Sequence, residues 1–216
     1  MNALPATTLA PIVAGVDVGG PKKGMHAVAL RDGAYLDRFS SRKPAEIAAW
    51  CREMGAGFIG VDAPCRWSAT GRARSAEREL MAQGIWCFSS PSLAVAKAHP
   101  KNQFGWMLNG AELFQNLETA HPLLKQSSGP VSAPVCFETF PQAIACALAG
   151  EIVSAKQKRT VRRALLTQGG IDISQLTNID LVDAALCALV AHHVALGKYK
   201  TYGDASSGLI VVPRIG

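Results

Sequence analysis

The chain has 216 residues, of which 49% are hydrophobic and 18% charged, and 22 lysines and arginines against 16 acidic residues give a net charge of +6. Intrinsic disorder and collagen-like repeats are excluded, because the apolar content is high and no glycine period is present. A chain of this length buries about 70% of the surface that its unfolded form exposes, which favours one domain over residues 1–216.

The segment from Met1 to Val16 is uncharged, but it contains two prolines and lacks the basic start of a secretory signal. We therefore expect neither export nor membrane insertion, and predict a cytoplasmic protein. The six cysteines form no C-x-x-C pair and are interpreted as reduced thiols. The basic balance favours acidic partners such as nucleic acid or a nucleotide, although solvated lysines give the same charge.

The first part of the chain predicts a three-stranded meander followed by a crossover. Asp32-Gly33 is a hairpin signal between two strand-like segments, and a proline opens the helix that follows. The next apolar run is expected to lie parallel beside the first strand. These strands and the helix are predicted, in chain order, at 12–17, 25–31, 34–39, 44–54 and 58–62.

Residues 63–133 are expected to form an inserted region of helices and loops, in which 85–106 is the least predictable part. A fifth strand is predicted at 135–138, and 209–212 is a candidate terminal edge strand. The fold class expected is α/β, with a mixed five-stranded sheet flanked by helices. The remaining helices are predicted at 73–83, 108–124, 141–149, 156–168 and 178–196.

Three of the predicted strands end in an acid, namely Asp17, Asp62 and Glu138. The functional crevice of an open α/β sheet lies at the carboxyl ends of its strands, so these side chains are expected at one edge. Asp183 lies on an otherwise apolar helical face, where a lone carboxylate needs a cation or a hydrogen-bond network. Asp180 is assigned instead to a capping box at the start of that helix.

Hard oxygen ligands of this kind select Mg²⁺ or Mn²⁺, and two such ions suit the hydrolysis of a phosphodiester. We therefore predict that Asp17, Asp62, Glu138 and Asp183 are both metal ligands and catalytic residues. The alternative is that each strand-end aspartate only caps a helix or forms a turn.

The order of elements, with acids after the first, fourth and fifth strands and on the last helix, resembles the ribonuclease H fold. From about residue 12 to 213 the chain also resembles domain-of-unknown-function family 429, regarded as predicted nucleases of that fold. The resemblance places the family's acidic positions on Asp17, Asp62, Glu138 and Asp183. The segments that carry it are, in order, GVDVGGPKKG, FIGVDAPCRW, GRARSAEREL, CFETFPQAIACALAG, SAKQKRTVRRALL, LTNIDLVDAALCAL and YGDASSGLIVVP.

Basic side chains suited to phosphate contacts occur in two places. Five of the eight residues from Lys156 to Arg163 are basic, and Lys156, Arg162 and Arg163 are the substrate-binding candidates there. Arg72 is the preferred candidate in the loop after the fourth strand, since guanidinium groups bind phosphate bidentately. A solvated helix face and internal ion pairs are the alternatives.

Four aromatic residues lie between positions 86 and 106, close to two lysines in the sequence. We interpret them as packing in a lid or a satellite core, with stacking of unpaired bases as the alternative. They are Trp86, Phe88, Phe104 and Trp106.

The leading hypothesis is a nuclease or phosphodiesterase that depends on Mg²⁺ or Mn²⁺. A protein that binds nucleic acid or a nucleotide without cleavage is the second. A nucleotide-dependent phosphotransferase that uses the Gly19-Gly20 turn is the third. The sequence permits a homodimer without requiring one.

Overall fold

The computed structural model describes residues 10–215, which contain one mixed sheet of seven strands. The prediction of an α/β fold is confirmed, whereas the prediction of five strands is wrong. The strands are β1 (Ile12–Val18), β2 (Met25–Arg31), β3 (Ala34–Ser41), β4 (Phe58–Asp62), β5 (Val135–Thr139), β6 (Tyr199–Asp204) and β7 (Gly208–Pro213).

The helices flank this sheet, and a short 3₁₀ turn at Ala155–Gln157 precedes the sixth of them. None of the helices within residues 10–215 combines the length and the apolar character needed to cross a membrane. The helices are α1 (Pro44–Glu53), α2 (Ser75–Ala82), α3 (Leu93–Ala98), α4 (Gly105–Glu118), α5 (Pro141–Ala149), α6 (Lys158–Gln168) and α7 (Ile179–Ala195).

The strand order across the sheet is β3-β2-β1-β4-β5-β7-β6. The meander and the parallel crossover from β1 to β4 are as predicted, and Asp32 and Gly33 have the positive φ angles of the expected hairpin turn. The two additional strands form a terminal hairpin. Within it, β7 lies inside the sheet against β5, and β6 is the edge strand. The segment 209–212 is therefore an interior strand rather than the predicted edge strand.

Helix α7 is buried on almost every side and packs closely on the sheet. Two strand glycines make this approach possible. A Cβ atom at Gly15 on β1 would lie 2.0 Å from the backbone nitrogen of Ala188, and one at Gly60 on β4 would lie 2.6 Å from the carbonyl oxygen of Cys187. Because any side chain at these positions would push the helix away, the glycines hold α7 against the two strands that end in Asp17 and Asp62.

Candidate active site

Strands β1 and β4 place two aspartates side by side at one edge of the sheet. Asp17 and Asp62 are direct neighbours in the parallel register of the two strands. Asp183 reaches the same edge from α7, and its charge acts on both of the strand aspartates. The structure thus brings together three of the four acids that the sequence singles out.

Asp17 is a buried carboxylate with too few partners. It is only 6% exposed, and among residues 10–215 its Oδ2 atom finds no hydrogen-bond donor. The nearest cation, Lys23 Nζ, lies 3.8 Å from Oδ2. Burial raises the pKa of Asp17 from 3.8 to about 7, with Lys23 opposing the rise and Asp183 adding to it. The carboxylate form is therefore costly in this arrangement.

Asp62 ends β4, the strand that lies between β1 and β5 in the sheet. Burial raises the pKa of Asp62 well above its usual range, and the negative charges of Asp17 and Asp183 raise it further. Like charges crowded in this way are stable only when protons or a cation neutralise them.

The negative charge of Asp183 is compensated within the fold by Arg162. Its Oδ1 atom accepts a hydrogen bond of 2.5 Å from Arg162 Nη1, and Arg162 Nη2 also donates to Gln142 Oε1 at 3.2 Å. Burial raises the pKa of Asp183, and the charge of Arg162 limits that rise. The requirement for a partner on the apolar face of α7 was therefore predicted correctly, although the partner was not.

Asp180 belongs to the edge of the site rather than to a helix cap. The first residue before α7 is Asn178, whose side-chain oxygen accepts the Leu181 backbone N–H at 2.8 Å, so the predicted capping box is wrong. The Asp180 carboxylate instead binds Lys23 Nζ at 2.6 Å. Through this contact Lys23 bridges the β1–β2 loop and α7 beside Asp17.

Glu138 lies at the end of β5, but it is bound by a different set of groups. Arg74 Nη1 and the Cys65 backbone N–H donate to Oε2, each at 2.8 Å, and Arg74 Nη2 donates to Oε1 at 2.5 Å. Arg74 also donates from Nε to Glu77. Since a carboxylate accepts at about four positions, Glu138 keeps one of them, on Oε1.

The basic candidates separate into exposed and buried side chains. Arg72 and Lys156 are exposed, whereas Arg162 holds Asp183 and Arg163 donates to the Leu176 carbonyl oxygen at 2.7 Å. An additional cation, Lys158, is exposed at the start of α6, and its charge acts on both Asp17 and Asp183. The start of α6, which carries Lys158, thus lies near Asp17 and Asp183, and Lys156 precedes it in the 3₁₀ turn.

A cavity of about 210 Å³ opens beside Asp62. Phe88 and Trp106 line it with their rings 6.3 Å apart in an edge-on arrangement, and the buried side chains of Arg74 and Glu138 line it as well. Phe88 is 73% exposed and Trp86 is 77% exposed, so the interpretation of these two as packed core is wrong.

The carboxylates at this edge are suitable ligands for a metal ion, but they are not arranged around a common point. Within the described chain, no group of three or more acidic, histidine or cysteine side chains is arranged to hold an ion as it stands. Lys23 and Arg162 supply the positive charge at Asp17 and Asp183. The donor chemistry still fits a hard divalent cation, because the site consists of carboxylates and one buried oxygen, Asp17 Oδ2, has no donor among residues 10–215.

The comparison with protein families agrees with the family resemblance seen in the sequence. The model of a family described as "Protein of unknown function (DUF429)" matches residues 15–207, and the chain therefore belongs to this family. No curated protein sequence matches the chain. The solved structure of RuvC from Thermus thermophilus is similar over 88% of this chain and 98% of that chain, with 16% identity and a TM-score of 0.48.

Proposed function

We propose that the protein is a nuclease or phosphodiesterase that depends on Mg²⁺ or Mn²⁺. The observation that carries the proposal is the cluster of Asp17, Asp62 and Asp183 at the carboxyl edge of the parallel strands, with Asp17 Oδ2 buried and without a hydrogen-bond donor among residues 10–215. Carboxylates held together against their mutual repulsion are typical of a cation-binding catalytic site.

Asp17, Asp62 and Asp183 are the residues that we assign to the metal. Glu138 is a fourth ligand through the acceptor position left on Oε1, while its bonds to Arg74 fix the orientation of the carboxylate. When bound, the metal supplies a Lewis acid for the phosphoryl oxygens and lowers the pKa of water. Lys23 neutralises this edge of the site in its absence.

The cations around the acids suit a phosphate backbone. We assign phosphate contacts to Lys158, whose charge acts on Asp17 and Asp183, to the exposed Lys156 two residues before it, and to Arg72, which is exposed in the loop after β4. Arg162 and Arg163 act on the site without touching the substrate. Arg162 orients the Asp183 carboxylate, and Arg163 fixes α6 in place through its hydrogen bond to the Leu176 carbonyl oxygen.

The test is cleavage of labelled single-stranded, duplex, hybrid and branched oligonucleotides with Mg²⁺, with Mn²⁺ or with a chelator. We expect cleavage by the wild type in metal and none in chelator. Asp62→Asn should abolish it, whereas Asp37→Asn, which changes an exposed aspartate on β3, should leave it intact. Cleavage that persists in Asp62→Asn would contradict the proposal and indicate a contaminating nuclease.

A second candidate is a protein that binds nucleic acid without cleaving it. It is favoured by the internal cations, since Arg162 binds Asp183 and Lys23 lies 3.8 Å from Asp17 Oδ2 without a metal. This function predicts salt-dependent binding that is unchanged by a chelator and by Asp62→Asn.

The phosphotransferase hypothesis gains no support from the Gly19-Gly20 turn. The backbone N–H groups of Gly19, Lys23 and Gly24 all donate to carbonyl oxygens within the turn, so they are not available to a phosphate.

A further inference from the structure

The cavity beside Asp62 has the size and lining of a site for one flat aromatic ring. Its volume of about 210 Å³ is smaller than the roughly 300–1,000 Å³ that is typical of sites for drug-sized ligands. Phe88, Trp106 and Phe140 contribute aromatic surface to its wall. Such a cavity is too small for a whole nucleotide, but it matches the stacking surfaces that proteins offer to single bases.

Phe88 is the residue whose placement most needs an explanation. Its ring is 73% exposed, although it lines an apolar cavity and contacts Trp106 only edge-on at 6.3 Å. Because most of the ring surface is exposed, it is accessible to a ligand that stacks on it.

The polar groups in the cavity are largely used by one another. Glu77 accepts hydrogen bonds from Arg74 N and Nε and from Ser90 N and Oγ. Arg74 in turn donates to Glu138 from both terminal nitrogens. Since few donors and acceptors remain for the edge of a ligand, the cavity would recognise the flat face of a ring rather than its hydrogen-bonding pattern.

Asp62 lines the same cavity, so a ring bound there would lie next to the proposed metal ligands. The exposed cation Lys158, at the start of α6, lies close enough for its charge to act on Asp17. A phosphodiester chain carries both an aromatic base and a negative charge within one repeating unit, which matches this arrangement of aromatic, acidic and basic groups.

We propose that this cavity binds one unstacked base of the nucleic-acid strand, next to the phosphate that is cleaved. The inference rests on the proposed nuclease function for its position beside the scissile phosphate. It predicts a preference for unpaired or distorted strands over regular duplex, with little discrimination among the bases.

The experiment compares two duplexes that differ at one position, a single-nucleotide bulge and the same bulge without its base. Affinities are measured by fluorescence anisotropy in a chelator, so that no cleavage occurs. We expect the wild type to bind the bulged base about tenfold more tightly than the abasic bulge. Phe88→Ala should abolish this difference, and Phe88→Tyr should retain it.

Trp86→Ala is the matched control, because Trp86 is 77% exposed but does not line the cavity. It should preserve the tenfold difference. Equal binding of the two bulges by the wild type, or a difference that survives Phe88→Ala, would overturn the proposal. A base-dependent difference that requires Phe88, in a protein that cleaves nothing in Mg²⁺ or Mn²⁺, would support the cavity and contradict the nuclease function.

Discussion

Replacing Asp17 by asparagine should make the protein more stable at pH 8. Burial raises the pKa of Asp17 from 3.8 to about 7, so keeping this group ionised in the folded state at pH 8 costs up to about 4 kcal/mol of unfolding free energy. An amide of the same shape has no charge to desolvate. We therefore expect Asp17→Asn to gain stability, with about 4 kcal/mol as the upper limit.

The gain should depend on pH with a definite sign. Above pH 7 Asp17 is ionised in both the folded and the unfolded protein, and the full cost applies. As the pH falls from 7 towards 4, the folded protein takes up a proton that the unfolded chain does not, so the cost declines to about 2 kcal/mol at pH 5. Below pH 4 the two proteins should be equally stable.

Urea unfolding of the wild type and Asp17→Asn at pH 8, 5 and 3.5 measures this difference, with Asp37→Asn as the control expected to change nothing. Mg²⁺ or Mn²⁺ at pH 8 should raise the stability of the wild type and leave Asp17→Asn unchanged, because a ligand that binds only the folded state stabilises it. A variant that is less stable than the wild type at pH 8, or a difference independent of pH, would refute the reasoning.

Three further substitutions test the framework of the site by urea unfolding. Arg74→Met should lower the free energy of unfolding by about 3–5 kcal/mol, because the buried Glu77 and Glu138 lose their cation. Arg78→Met, at an exposed position, should lower it by less than about 1 kcal/mol. Equal losses would contradict the buried ion-pair network of Arg74. Gly15→Ala should cost about 1–3 kcal/mol or more through its clash with α7, while Gly20→Ala, with open space around it, should have little effect. Asn178→Ala should cost about 1 kcal/mol as the cap of α7, and no loss would refute that role.

The sequence was sufficient to predict that Asp17, Asp62 and Asp183 meet, because each of these acids has a strong local context. Asp17 and Asp62 each follow a short apolar run, and the helix between those runs implies a parallel crossover that puts them side by side. Asp183 was recognisable as a polar group on an apolar helical face. The periodicity of the apolar residues and the direction of the strands are enough to predict that these three carboxylates lie at one edge of the sheet.

The partners of these acids were not predictable, because they lie far away in sequence. Arg74 is 64 residues from Glu138, and Arg162 is 21 residues from Asp183. Only the assembled fold brings these charges together. The ion pair between Arg74 and Glu77 could have been predicted, since Glu77 lies three residues later on the first turn of α2, which is the spacing of a helical ion pair.

A different physical cause explains why β6 was missed and why β7 was predicted only as a terminal edge strand. β6 has the sequence YKTYGD, in which polar residues and a glycine hide any strand pattern, and its pairing with β7 makes it a strand. β7 is an interior strand because β6 pairs with its outer edge. The short apolar run of β7 does not show that such a partner strand exists. The exposure of Phe88 was missed for a similar reason, since a count of aromatic residues does not show which of them remain outside the core.

The most direct test of the central claim is the rate of Mn²⁺-dependent cleavage of the best oligonucleotide substrate by Asp62→Asn, compared with the wild type and Asp37→Asn purified in the same way. Removing the charge of Asp62 should not destabilise the fold, because burial and the charges of two neighbouring aspartates raise its pKa, and urea unfolding of the variant checks this. The account predicts that Asp62→Asn loses cleavage at least a hundredfold, roughly the scale of a deleted electrostatic contact in an active site, while Asp37→Asn retains it. Equal cleavage by all three proteins, or by none of them across the whole panel, would contradict it.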